Sequence, residues 1–260
     1  MSTYTCEQIA GTLDHSVLLP QLTVEEARAS ILVGRECGAR SCCVKPCDVK
    51  MAAELLRGSR TLVCTVIGFP HGSSSTATKV YEAQQAVADG AVELDMVLNI
   101  GRLRSGDDAY VQADIAAVVA VAHAAAPKAI VKVILENAYL DDEQKARGCR
   151  LIEAAGAEFA KTSTGFAVVT GEKPAGATIP DLQLMRTTCS PAVEVKAAGG
   201  VRTLDALLAA LGVGATRIGC TATKAILDDF AARTKGTGGV LTVVSAAAGA
   251  AAVTTAAAGY

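Results

Sequence analysis

The chain has 260 residues, of which 51% are apolar and 19% charged, with a formal net charge of −2. That composition excludes a largely disordered chain. Basic residues that are neither in excess nor clustered leave no electrostatic case for a nucleic-acid partner. The opening "MSTYTCEQIAGTLDHS" has neither a basic start nor an apolar run, so no signal peptide is expected. Nine cysteines, none in a C-x-x-C pair and several in apolar runs (Cys42, Cys43, Cys64), suit a reduced cytoplasmic protein better than a disulfide framework.

In chain order, short apolar strands alternate with helix-like segments. "GTLDHSVL" (11–18) and "ARSCCVKP" (39–46) read as strands, followed by the helical "DVKMAAELLRG". "TLVCTVIGF" (61–69) precedes the helical "KVYEAQQAVADG", and "AVELDMVLN" (91–99) and "AIVKVILEN" (129–137) follow. The helical "DEQKARGCRLIEAAG" leads into "EFAKTST" (158–164), then "AVEVKAAGG" (192–200). The helical "TLDALLAALG", "TRIGCTA" (216–222) and the helical "KAILDDFAART" complete the body. Gly90, Gly156 and Gly212 stand where a left-handed cap would end three helices. Eight strand–helix units in about 235 residues predict an α/β fold, a single-domain (β/α)8 TIM barrel over 1–235; an open doubly wound sheet is the runner-up. Residues 236–260 form an uncharged Ala/Gly/Thr-rich tail. Its alanine, threonine and glycine drive insertion poorly, so a loosely docked tail is expected and no membrane partner.

Alternation along barrel strands puts every second residue inside. Glu93 and Asp95 then share the inner face, with Val92, Leu94 and Met96 toward the helices. Glu194 pairs with Lys196 inside, and Lys132 with Glu136. These charges are expected toward the C-terminal strand ends, where barrel active sites are built. A desolvated lysine beside a second cation is more easily deprotonated, and so becomes a nucleophile. Lys161 and Lys196 fall on consecutive strands, and Asp95 can shuttle protons between them. This suits Schiff-base chemistry on an aldehyde or ketone, and Asp95→Asn is expected to impair proton transfer with the fold intact. No metal is expected: three histidines, one of them (His123) in a helix, and "CCVKPC" make no ligand signature. The glycine-rich strand ends "AAGGVRT" and "RIGCTAT" occupy the positions where barrels bind phosphate.

The pieces "LDHSVLLP", "VIGFPHG", "ELDMVLNIGRLRSGD", "KVILEN", "FAKTSTGF", "VEVKAAGGVRT" and "RIG" run in order between Ile9 and about Asp228. Together they resemble the deoxyribose-phosphate aldolase family. The resemblance implies reversible cleavage of 2-deoxy-D-ribose 5-phosphate to D-glyceraldehyde 3-phosphate and acetaldehyde, without metal or organic cofactor. It implies Lys161 as the Schiff-base lysine, Lys196 as the second active-site lysine and Asp95 as acid/base. It implies substrate contacts at Asp14, Lys132, Thr164, Gly199, Gly200, Gly219, Cys220 and Thr221, and a homodimer.

The sequence departs from the family in places. Cys220, Thr221 and Ala222 stand where relatives have a small residue and serines, so one hydroxyl is lost at Ala222. Phe166 replaces a lysine that helps some relatives bind phosphate. Some relatives end in a tyrosine that relays protons, a role Tyr260 could take. Cys43 matches a cysteine of some relatives and reads as a buried small apolar residue. Two other readings remain: a Schiff-base barrel lyase for a different aldehyde, and a noncatalytic phosphosugar-binding protein.

Overall fold

The structure is a computed structural model that describes residues 2–169, 174–236 and 238–243. The chain opens with β1 (Ser2–Thr5) and α1 (Cys6–Ala10). It continues through β2 (Leu13–Val17), α2 (Val24–Glu36), β3 (Ser41–Val44), α3 (Val49–Leu55), β4 (Leu62–Ile67) and α4 (Thr76–Ala88). Then come β5 (Glu93–Val97), α5 (Ile100–Arg104), α6 (Asp108–Ala124), β6 (Ile130–Ile134), α7 (Asp142–Ala154) and β7 (Phe159–Lys161). The last are α8 (Ile179–Thr188), β8 (Glu194–Ala198), α9 (Leu204–Gly212), β9 (Arg217–Cys220), α10 (Thr223–Arg233) and β10 (Val240–Val243).

Strands β2 to β9 close into a parallel barrel, β9 pairing back onto β2. All eight expected strands are present, and the open sheet is excluded. Leu94 and Met96 are fully buried against the helix layer, as their alternation requires. Gly90 (φ +110°) and Gly156 (φ +83°) take the left-handed conformation just beyond α4 and α7. Gly212 does not: it remains the last residue of α9, and Gly214 (φ +97°) makes the turn instead. The helix ends at Gly212, and the chain reverses two residues later, at Gly214.

The helices start where side chains can satisfy free backbone donors. Thr23 and Asp141 each accept from the backbone N–H three residues on, and Glu26 and Gln144 bond back to the cap backbone. These reciprocal bonds fix the entries of α2 and α7. Helix α2 lies close over the barrel because Gly34 has no side chain; a Cβ there would come within 3.2 Å of His15 Cβ. Between α4 and α6, Lys79 is fully buried, donating to Asp114 Oδ2 at 2.5 Å and to the Val97 carbonyl at 2.9 Å. Its position on a helix hid it from an argument built on strand alternation.

The tail does not begin as a separate segment. β10 pairs antiparallel with β1, Thr5 opposite Val240 and Ser2 opposite Val243. Tyr260 and the rest of the tail lie outside the described residues. No helix among the described residues is long and apolar enough to cross a membrane.

His15 points out of β2, its Nδ1 2.9 Å from Thr223 Oγ1 and its Nε2 3.0 Å from Ser30 Oγ. Burial pushes its pKa down to about 4, against the opposing effect of the Ser30 bond. A depressed folded value means stability that is present above pH 6.5 and lost as pH falls through 4. Over that window the unfolding free energy should drop by about 3 kcal/mol. Urea unfolding at a series of pH values would measure this, and His15→Gln should flatten the slope.

Candidate active site

The barrel interior divides into two halves. Leu18, Cys43, Cys64 and Val66 form an apolar wall from the β2–β4 side, with Phe69 and Phe166 packed against it. The two phenyl rings meet edge-to-face at 5.4 Å. Opposite stand buried charges, Glu93, Asp95, Lys132, Lys161, Lys196 and Arg217 from β5 to β9, joined by Asp14 of β2.

Asp95 lies at the centre. Its Oδ2 accepts from Lys161 Nζ at 2.6 Å and from Lys196 Nζ at 2.7 Å. Its Oδ1 accepts from Lys132 Nζ at 2.8 Å and from the Cys64 thiol at 3.3 Å. Strand register explains the convergence: Asp95 is opposite Lys132, and Lys161 is opposite Lys196. Asp14 holds Lys196 at 2.5 Å and accepts from Ser41 Oγ at 2.7 Å and Arg217 Nη1 at 2.8 Å. One layer lower, Glu93 holds Lys132 at 2.6 Å and Arg217 at 2.9 Å.

Burial raises the pKa of Asp95, but Lys132, Lys161 and Lys196 outweigh it and hold the carboxyl well below its ordinary range. For Asp14, burial is likewise overcome, by Lys196, Lys132 and Arg217. Burial alone would favour neutral lysines; Asp14 and Asp95 instead raise Lys196 above its ordinary value. Asp95, Cys64, Glu93 and Asp14 do the same for Lys132. So the expectation that burial lowers the lysines does not hold for these two, because each has carboxylate partners within ion-pair distance. Both are favoured as cations beside Lys161.

Other expectations need correction. The interior charges are not confined to the C-terminal strand ends: Glu93 and Arg217 begin their strands and form a bottom layer. Arg217 was missed, although its alternation with Gly219 places it inside. Glu194 lies at the open lower end, where it is exposed and accepts from Thr216 Oγ1 at 2.5 Å. Glu136 does not line the barrel beside Lys132. It follows β6 in a left-handed conformation (φ +58°), rare for such a residue. Its buried carboxylate accepts from both the hydroxyl and the N–H of Thr164. Thr164 is thus engaged by Glu136, and the loop after Lys161 is clamped to the end of β6.

At the phosphate-type loops, Gly199 (φ +82°) and Gly200 (φ +85°) are left-handed after β8. Gly219 leaves room for Lys196, since a Cβ there would lie 3.3 Å from Lys196 Cε. Cys220 is buried, its thiol pushed up to about 11 by burial, and Thr221 is exposed. Ala222 is the N-cap of α10 and offers no side-chain bond. The first N–H groups of α10 therefore have no side-chain cap at Ala222, and helix starts of this kind favour anions.

Cys43, Cys64 and Asp95 bring potential metal-binding atoms within 4.8 Å of one another. Three lysines already occupy the same carboxylate, and their charge opposes a cation there. A cleft of about 370 Å³ opens at the barrel mouth beside Thr164, Glu136 and Phe166.

Asp95 accepts from three buried ammonium groups at once. Its replacement by Asn should cost stability, by about 3–5 kcal/mol, because breaking a buried ion pair strands its partners. This reverses the expectation that Asp95→Asn leaves the fold intact. Chemical denaturation of the variant checks it; an unchanged midpoint would mean that Asp95 does not bind these lysines.

A family model described as DeoC/LacD family aldolase matches residues 13–228. Deoxyribose-phosphate aldolase 1 of Bacillus licheniformis is 49% identical over 216 residues, covering 83% of this chain and 93% of the relative. The deoxyribose-phosphate aldolase of Listeria monocytogenes is 48% identical over 219 residues, covering 84% and 94%. A solved structure, the tetrameric deoxyribose phosphate aldolase of Aeropyrum pernix, superposes with a TM-score of 0.78 at 29% identity, covering 87% of this chain and 92% of its own. The chain therefore belongs to the DeoC/LacD family of aldolases.

Proposed function

We propose that the protein is a deoxyribose-phosphate aldolase working through a Schiff base on Lys161. The observation that carries this is one carboxylate, Asp95, shared by Lys161 and Lys196 on adjacent strands beside an apolar wall. The neutral Lys161 amine attacks the aldehyde carbon of open-chain 2-deoxy-D-ribose 5-phosphate. Loss of water gives the iminium. The C2–C3 bond then breaks, its electron pair moving toward the iminium nitrogen as the C3 hydroxyl gives up its proton. D-glyceraldehyde 3-phosphate leaves, and the remaining two-carbon enamine takes a proton at C2. Hydrolysis frees acetaldehyde and restores the lysine.

Each neighbour has a task in this reading. Lys196, kept cationic by Asp14 and Asp95, favours the unprotonated state of the adjacent amine. Asp95 accepts and returns the proton. While Lys161 is neutral, one of the three cations that hold this carboxylate low is absent, so it becomes more basic. Lys132 and Asp14 hold the two in place. The apolar wall suits the two-carbon fragment, which has no polar group beyond its nitrogen link. Gly199, Gly200, Gly219 and the uncapped start of α10 suit the phosphate. A homodimer in the cytoplasm is the assembly and location we propose. The family resemblance supports the first, and nine free thiols, six of them buried, support a reducing compartment.

Borohydride with substrate should add mass to the peptide holding Lys161; an adduct on Lys196 or Lys132 instead would overturn the assignment. Lys196→Leu should lose activity most at neutral pH and partly recover it in alkali, as expected for a role through charge alone. A loss that persists at every pH would show that Lys196 also carries protons.

The phosphate loop gives a separate test. A hydrogen bond to a charged group is worth about 1.5–3 kcal/mol. Ala222→Ser should therefore lower the Michaelis constant for the phosphorylated substrate about tenfold or more, and should also stabilise α10 by about 1 kcal/mol as a new cap. Thr221→Ala should weaken binding. Effects on unphosphorylated deoxyribose should be far smaller. Equal effects on both sugars would favour an unphosphorylated aldehyde as the natural substrate.

A further inference from the structure

The buried ionic cluster is unbalanced. Four cations, Lys132, Lys161, Lys196 and Arg217, face three carboxylates, Asp14, Glu93 and Asp95. The excess of one is removed if one lysine is neutral. Lys132, Lys196 and Arg217 are each held by at least two carboxylates, whereas the described ion pairs of Lys161 are with Asp95 alone. Lys161 is therefore the member that loses least by giving up its proton.

Glu93 belongs to this balance without being near the reaction. It begins β5, two residues before Asp95, at the end of the barrel away from the catalytic loops, and is 1% exposed. It is linked to Lys161 through Lys132 and Asp95, and by a longer route through Arg217, Asp14, Lys196 and Asp95. We infer that Glu93 is a positioning residue for the aldol reaction: by pinning Lys132 and Arg217 it sets how many positive charges surround the nucleophile, and so the pH at which Lys161 can act. This rests on the assignment of Lys161 as the Schiff-base lysine.

Several further charged and titratable groups face this path. Facing Glu93 are Arg40 from β3's approach at 3.8 Å, Lys132 from β6 and Arg217 from β9, with Asp14 of β2 behind Arg217. Facing Lys161 are Asp95 of β5 and Lys196 of β8, with Glu136 beyond β6 and the Cys43 thiol of β3 contributing more weakly. Cys64 of β4 bridges Asp95 and Lys132. Arg40 is half exposed, so water screens it. Arg217 is buried and stacks over Phe159 at 5.2 Å.

The signs follow. Glu93→Gln removes a negative charge, so the excess becomes two and the Lys161 ammonium releases its proton to solvent more easily. Arg217→Gln removes a positive charge and does the reverse. A unit charge one strand layer away, about 7 Å, is enough to move a titration by about one pH unit.

The experiment follows the pH dependence of borohydride trapping of substrate on Lys161, and of kcat/KM, in the full chain. Glu93→Gln should move the acid limb about one unit lower, Arg217→Gln should move it higher, and the double variant should return it close to the wild-type position. Glu93→Asp, which keeps the charge, should stay close to wild type. An acid limb that stays in place in folded Glu93→Gln overturns the inference, as does a shift shared by Glu93→Asp. If Glu93→Gln does not fold, Arg217→Gln decides: an upward shift supports the inference and an unmoved limb overturns it. Failure of both to fold overturns it as well, since the charges would then serve folding alone. Absence of any trapped imine on Lys161 in the wild-type chain would instead count against the Schiff-base assignment itself.

Discussion

One carboxylate organises the barrel. Asp95 binds three lysines from three strands, and it is the carboxylate that all three buried ammonium groups share. The arrangement is costly to desolvate and is tolerated because each ion has a partner at hydrogen-bond distance. Its consequence is chemical. A lone buried lysine would lose its charge by desolvation, and a fully paired one would keep it. Here Lys132 and Lys196 are multiply paired and stay cationic, while Lys161 shares its single carboxylate with both of them.

The rest of the interior supports this asymmetry. The charged half is fed by β5 to β9 and by Asp14 of β2; parallel register stacks Asp95 beside Lys132 and Lys161 beside Lys196. The apolar half, from β2 to β4, ends in the Phe69–Phe166 pair at the mouth. Polar chemistry and an apolar surface therefore face each other across the barrel. Glu136 adds a local constraint: its strained backbone and buried carboxylate hold Thr164, and with it the segment that follows Lys161. Such a backbone persists only where the surrounding structure holds it.

The loops after β8 and β9 have a different character. They present glycines, Arg202 after β8 and, after β9, a helix start without a side-chain cap. With a hydroxyl absent at Ala222, more of any anion binding falls on backbone donors, which are insensitive to side-chain identity. Just before that loop, β9 packs against Lys196, because Gly219 makes the space in which that side chain lies.

The sequence by itself determined the eight strand–helix units, the inward face of β5 and the identity of Lys161, Lys196 and Asp95 as an interior group. Period-two alternation and strand order are local properties, and a charged residue in an apolar run is visible in one dimension. What only the tertiary structure decided is how those charges pair. Arg217 and Glu93 joined the cluster because barrel closure brings β9 and β5 to one axis, a contact across 124 positions of chain. Glu136 left the interior because the backbone turns at the end of β6, which alternation does not register. Gly212 yielded its turn to Gly214, and residues 240–243 found β1 at the other end of the chain. Lysine charge states belonged to this second class too: they depend on distances of 2.5 to 2.8 Å between residues far apart in sequence, and Coulomb interaction follows distance in space.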